Sequence, residues 1–143
     1  MIKIIGALVA LFLCLDVATS RDNGQWEEMD PKVRAWYQGL MQPENPTVSC
    51  CGEADAYHAD DFSIDPATGD TIATITDTRP PCDGTEESVE AGCVPNRPHL
   101  PPGTRVRVPK SKMKWDRGNP TGHGVIFVST SLSVYCYVTP AGI

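Results

Sequence analysis

Past residue 15 the sequence has no long apolar run, so nothing after its first segment is suited to crossing a bilayer as a helix. It has no internal repeat, which excludes solenoids and propellers. It has no N-glycosylation acceptor, because Asn45 and Asn119 are each followed by proline. The usual zinc spacings are missing, and the acids of residues 65–70 lack the alternating ligands of a calcium loop. No metal or other cofactor is therefore expected, although Cys50, Cys51, Asp55, His58 and Asp61 cluster along the chain. Bases are scarce, 12 against 18 acids for a net charge of −6. With Trp115 the only stacking aromatic among the late bases, nucleic acid is not an expected partner.

What is present begins with an export pattern. Lys3 supplies a positive start, and Ile4 to Leu15 is an apolar run. Ala18 and Ser20 then place small residues three and one before a cut. This predicts a signal peptide over residues 1–20 and a single exported domain over 21–143, in the periplasm or outside the cell. A secondary reading makes Cys14 a lipid-modified N-terminus, with bulky Leu13 where that processing prefers a small residue. The remaining length suffices for one hydrophobic core and hardly for two.

Charge divides along the chain. From Arg21 to Glu90 there are sixteen acids and four bases; from Ala91 onward there are seven bases, and Asp116 is the one acid. The simplest expectation is that the halves fold together and partly neutralise. The sharper one is an exposed basic strip of Arg105, Arg107, Lys110, Lys112, Lys114 and Arg117. Alternation in Arg105-Val106-Arg107-Val108 turns both guanidinium groups one way on a strand, and Lys110, Lys112 and Lys114 alternate likewise. Such a strip suits an anionic surface, such as an envelope polymer or a lipid headgroup, and the expected partner is such a polymer or another envelope protein.

Asp30-Pro31 reads as an N-cap followed by proline at the first helical position. Val33, Trp36, Tyr37 and Leu40 then form one apolar helical face over about three turns, before Pro43. Residues 42–49 read as a loop. Ser49 looks like the cap of a second short helix from Cys50 to His58. Phe62–Ile64 and Thr71–Thr76 flank a run of turn formers and predict a hairpin. Residues 78–103 form a proline-rich loop, and Thr104–Val108 and Lys112–Trp115 resume as strands. Asn119-Pro120-Thr121-Gly122 signals a turn. Gly124–Ser129 and Leu132–Val138 are the strongest strands. The predicted fold is α+β: one or two N-terminal helices packed on a small antiparallel sheet, stapled by disulfides.

Of the six cysteines, Cys14 leaves with the signal peptide. Among the other five, two bonds and one free thiol are expected in an oxidising compartment. Cys82 and Cys93 would close the proline-rich loop, worth about 3 kcal/mol; Cys136 would join Cys50 or Cys51, worth about 4–5 kcal/mol. The unpaired member of Cys50 and Cys51 would lie near a helix start, where the thiolate is favoured.

Two resemblances follow. A thiol at a helix start, with Gly122-His123-Gly124-Val125-Ile126-Phe127-Val128 on a later strand, resembles the layout of papain-like cell-wall amidases. Pro102-Gly103-Thr104-Arg105-Val106 stands where those enzymes have a strand opening Pro-Gly-Asp. Where they have Asp-Cys-Ser-Gly this chain has Cys-Cys-Gly-Glu, and Thr104 replaces the Asp. That resemblance implies a cysteine peptidase or amidase using Cys51 or Cys50 with His123 as base. The Ser49-Cys50-Cys51 box, the Gly118-to-Gly122 turn and the closing Tyr135-Cys136-Tyr137-Val138-Thr139-Pro140 resemble short exported bacterial proteins that carry no assigned activity. This second likeness implies export and a bond from Cys136 to Cys50 or Cys51. The leading expectation is a non-catalytic binding or structural module of the envelope, and the cysteine enzyme is the alternative.

Overall fold

The computed structural model describes residues 29–142 apart from 53, 95, 96, 98 and 99, so the predicted signal peptide, with Cys14, lies outside the described residues. Strand β8 (Val125–Val128) organises the fold. Its Val-Ile-Phe-Val is buried at every position, which requires apolar cover on both faces of its sheet. Val125 and Phe127 enter one core with Leu40, Cys50, Cys136 and Val138. Ile126 and Val128 enter another with Tyr57, Ala73, Ile75, Val108 and Tyr137.

The sheet around β8 has the order β3-β8-β9-β7, with β3 Asp55–His58, β9 Val134–Val138 and β7 Met113–Lys114. One face carries helix α1 (Pro31–Gly39), through Trp36, Tyr37 and the following Leu40. Asp30 caps α1 by accepting from the Lys32 and Val33 amides, as its sequence predicts. The other face carries a second sheet of order β4-β5-β6: Asp61–Ile64, Thr71–Thr74 and Arg105–Val108. The predicted hairpin is β4 and β5, joined where Asp65 donates its amide to the Asp70 carbonyl at 2.8 Å. Gly69 adopts φ +70°, and a β-carbon there would collide with the Lys110 side chain.

Among the described residues the fold is thus mostly β, with two short helices and three small sheets. Four expectations need correction. Residues 42–49 are no loop but part of a hairpin, β1 (Met41–Gln42) with β2 (Asn45–Ser49). Pro43 falls in its turn, and Pro46 lies on an edge strand, where a missing amide does no harm. Cys50 and Cys51 form a turn and Asp55–His58 form β3, not a helix, because pairing with the apolar β8 outweighs local helix preference. Ser49 Oγ does accept from the Cys51 amide at 3.0 Å, but it closes a turn. Lys112 ends a 3₁₀ turn (Lys110–Lys112) closed by its amide on the Pro109 carbonyl. Finally, β7 pairs with β9 in parallel, because the chain crosses from the β4-β5-β6 sheet over that turn before it reaches β9.

Both disulfides form. Cys50, not Cys51, bonds Cys136, and Cys82 bonds Cys93. The proline-rich segment holds a short helix, α2 (Glu86–Glu90), whose Ser88 amide is capped by Thr85 Oγ1 at 3.2 Å. Two disulfides fit an oxidising compartment outside the cytoplasm. Among the described residues no helix is long and apolar enough to cross a membrane.

Candidate functional site

Cysteine and histidine chemistry come first. Cys50 is bonded to Cys136 and offers no nucleophile. Among the described residues Cys51 is the free thiol, and its Sγ–H points at the Tyr37 carbonyl, 3.1 Å away. Burial pushes its pKa up to about 12, against a weaker opposing effect of Ser49. The thiolate expected near a helix start is therefore absent at neutral pH, since there is no helix there and the site is desolvated. Cys51 should resist iodoacetamide in the folded protein and react once urea is added, read as a mass shift per chain.

His123 has other partners. Its Nδ1 lies 3.1 and 3.2 Å from the Asp60 carboxylate oxygens, and its ring stacks on His58 with centroids 4.1 Å apart. A carboxylate only accepts, so Nδ1 carries the proton. Asp60 is itself fixed by the Gly124 amide at 2.8 Å and the Thr76 hydroxyl at 3.0 Å. Burial raises the Asp60 pKa, but these hydrogen bonds outweigh it and hold the carboxyl below its ordinary range. The orienting carboxylate that the sequence did not reveal is thus Asp60. The structure joins His123 to Asp60 and His58, while the free thiol is held by Tyr37.

His58 is half-buried, and its pKa falls to about 4 through burial first, then the charges of Arg79 and His123, against Asp77 and Asp60. The sign is fixed by linkage. Between pH 6.5 and 4 the unfolded chain holds the His58 proton and the folded one does not. Its contribution is complete above the unfolded value and is lost as pH falls through that window. Discounted for partial exposure, the loss is about 1 kcal/mol. Urea titrations at pH 7 and about pH 4.5 should show it, and His58→Gln should flatten the difference.

Beneath this cluster lies a charge network with no sequence signal beyond the residue types. Asp77, fully buried, accepts from Arg79 at 2.7 and 2.9 Å, from Arg97 at 2.9 Å and from the His58 amide at 3.2 Å. Arg97, 8% exposed, also donates to the Ala56 and Arg79 carbonyls and lies 4.3 Å from the Tyr57 ring centre. Burial pushes the Asp77 carboxyl up, but the two arginines outweigh it and hold its pKa far below the usual range.

The six bases of the predicted strip divide. Arg105 and Arg107 share the exposed face of β6, opposite buried Val108, as alternation predicts. Arg107 pairs with Asp65 and Asp70, both at 3.1 Å. Lys112 pairs with Glu44 and donates to Gln42 Oε1, and Lys114 donates to the Met41 carbonyl. The acidic and basic halves do neutralise each other at the Arg107 and Lys112 pairs. Arg105, Lys110 and Arg117 are exposed and make no ion pair among the described residues.

Arg117 stands on a hydrogen-bonded turn. Asp116 Oδ1 accepts from the Gly118 amide at 2.9 Å, and Oδ2 accepts from Trp36 Nε1 at 2.8 Å. Buried Asn119 donates from Nδ2 to the His123 and Thr139 carbonyls, at 2.7 and 3.1 Å. Its Oδ1 accepts from the Thr121 amide and hydroxyl, which builds the predicted turn. Between the 115–118 segment and residues 139–140 lies an open cleft of about 520 Å³, lined by Trp115, Asp116, Arg117, Gly118, Thr139 and Pro140. Trp115 is 61% exposed, and the Phe62 ring stands edge-on to it at 6.2 Å.

Compared with models of known families, with curated proteins and with solved structures, the chain matches none.

Proposed function

We propose that this protein is an exported, non-catalytic binding module of the cell envelope that holds an anionic envelope polymer by charge. The observation that carries this reading is the division of the basic residues. Arg107, Lys112 and Lys114 are engaged within the fold, and Arg105, Lys110 and Arg117 remain exposed and unpaired among the described residues. An unpaired surface cation keeps its full attraction for an external anion, whereas one in an intramolecular pair must first give up its partner. The export pattern and the two disulfides support the compartment. The protonated Cys51, bound to a carbonyl, gives the cysteine-enzyme alternative no ready nucleophile.

Retention on immobilised polygalacturonate and polyglutamate tests the reading. Binding should fall roughly tenfold or more between about 50 and 300 mM salt, as exposed charges are screened. Changing Arg105, Lys110 and Arg117 together to alanine should abolish it, and Arg107→Ala should weaken it less. Retention that ignores salt would sink the electrostatic reading.

A further inference from the structure

We infer that the cleft beside Trp115 is a binding site for an acidic sugar residue, a pyranose bearing a carboxylate or phosphate. This rests on the polyanion-binding reading above and names the chemistry that one part of the surface selects.

The cleft has the composition such a ligand requires. Trp115 presents a broad apolar ring to solvent, and Pro140 adds a second apolar residue to the lining. The face of a pyranose carries axial C–H groups and packs on an aromatic ring, while its hydroxyls point outward to water. A volume of about 520 Å³ lies within the range of small-molecule sites and suits one or two sugar rings.

Charge decides between neutral and acidic sugars. Two charged side chains line the cleft, Asp116 and Arg117. Both Asp116 oxygens are engaged, Oδ1 by the Gly118 amide and Oδ2 by the Trp36 indole, so its acceptors are turned toward the protein. Arg117 is exposed and has no ion pair among the described residues, which leaves its planar fork of donors for a ligand anion. The hydrogen-bonding group left free for a ligand is therefore the donor fork of Arg117, which suits an anion.

The walls are also set in advance. The Thr139 amide donates to the Lys114 carbonyl at 3.3 Å, and the Asn119 side chain ties the Thr139 carbonyl to the turn. Phe62 holds the indole from its edge, and the Trp36 bond anchors Asp116 between Trp115 and Arg117. A ligand meets formed walls and little has to be ordered on binding.

The test is calorimetric titration of the purified protein with three probes. These are a hexasaccharide alternating glucuronate and N-acetylglucosamine, a neutral N-acetylglucosamine hexamer, and polyglutamate. The acidic hexasaccharide should bind, and Trp115→Ala and Arg117→Ala should each weaken it about tenfold or more. Arg105→Ala with Lys110→Ala should weaken polyglutamate more than the hexasaccharide, and Trp115→Ala the hexasaccharide more than polyglutamate. Thermal melts show whether the variants stay folded, and Arg117→Lys separates charge from the planar fork. Unchanged affinity in folded Trp115→Ala would overturn the cleft as the site, and equal affinity for the neutral hexamer would overturn acid selectivity. If polyglutamate binds and the acidic hexasaccharide does not, the sugar site falls and the polyanion reading survives; if neither binds, both fall.

Discussion

Asp77→Ala is expected to destabilise the protein by about 3–5 kcal/mol, read as a shift of the urea midpoint at unchanged slope. Asp77 and Arg97 are both buried, with side chains 0% and 4% exposed. Neither charge can recover water when the other is removed. The truncation also leaves the His58 amide without its acceptor and frees Arg79, whose side chain is 31% exposed and rehydrates more easily. The uncompensated charge on Arg97 dominates the expected loss. Adding Arg97→Met should restore part of the stability, since a buried pair replaced by apolar groups is often nearly neutral. The two changes are therefore expected to be strongly non-additive. A loss below about 1 kcal/mol for Asp77→Ala would show that water reaches Arg97 and that the network is not a buried one.

Removal of the long-range disulfide is the second large effect. Cys50 and Cys136 are 86 residues apart, and the loop-closure model assigns their bond about 4–5 kcal/mol. Changing both to alanine should lower stability by about that amount, against about 3 kcal/mol for the 11-residue Cys82–Cys93 closure. Domains of this size have about 5–15 kcal/mol in total, so the first variant is expected to lie near its unfolding threshold. The contrast has a second source. Cys50 and Cys136 are each 0% exposed and sit among Leu40, Phe127 and Val138, so the alanine variant also leaves lost packing in that core. Equal losses for the two disulfide variants, measured under one denaturant, would contradict both arguments.

Local patterns carried much of the architecture. The Asp30 cap with Pro31, the turn-rich 65–70 segment and the β-branched run of β8 each have a short-range cause, and each forms where its residues predict. The Cys50–His58 segment shows the opposite case. Its alanines and acids favour a helix locally, but Ala56 and Tyr57 lie opposite Phe127 and Ile126, and burial against that strand decides the outcome. Sheet partition was equally hidden, because nothing in the sequence says that β5 and β6 form a layer apart from β8. The candidate site was legible only in its parts. Trp115 and Arg117 were visible as residues, but the cleft needs Thr139 and Pro140, which the fold brings from the far end of the chain. Asp60 and Arg97 gave no signal, since their roles depend on partners 63 and 20 residues away.

The free Cys51 beside a bonded Cys50 has a consequence for how the chain reaches its native state. Pairing Cys136 with Cys51 instead would change the closed loop by a single residue, and on the loop-closure model that alters the entropy by a negligible amount. Chain statistics therefore do not discriminate between the two isomers during oxidation. Selection falls to packing: Cys50 fits wholly inside the core under α1, while Cys51 stays partly outside it with its S–H donated to the Tyr37 carbonyl. The right bond is thus chosen only after α1 and β8 have met. Fast oxidation of the unfolded chain would scatter the products, and a disulfide isomerase or slow air oxidation would gather them into one species.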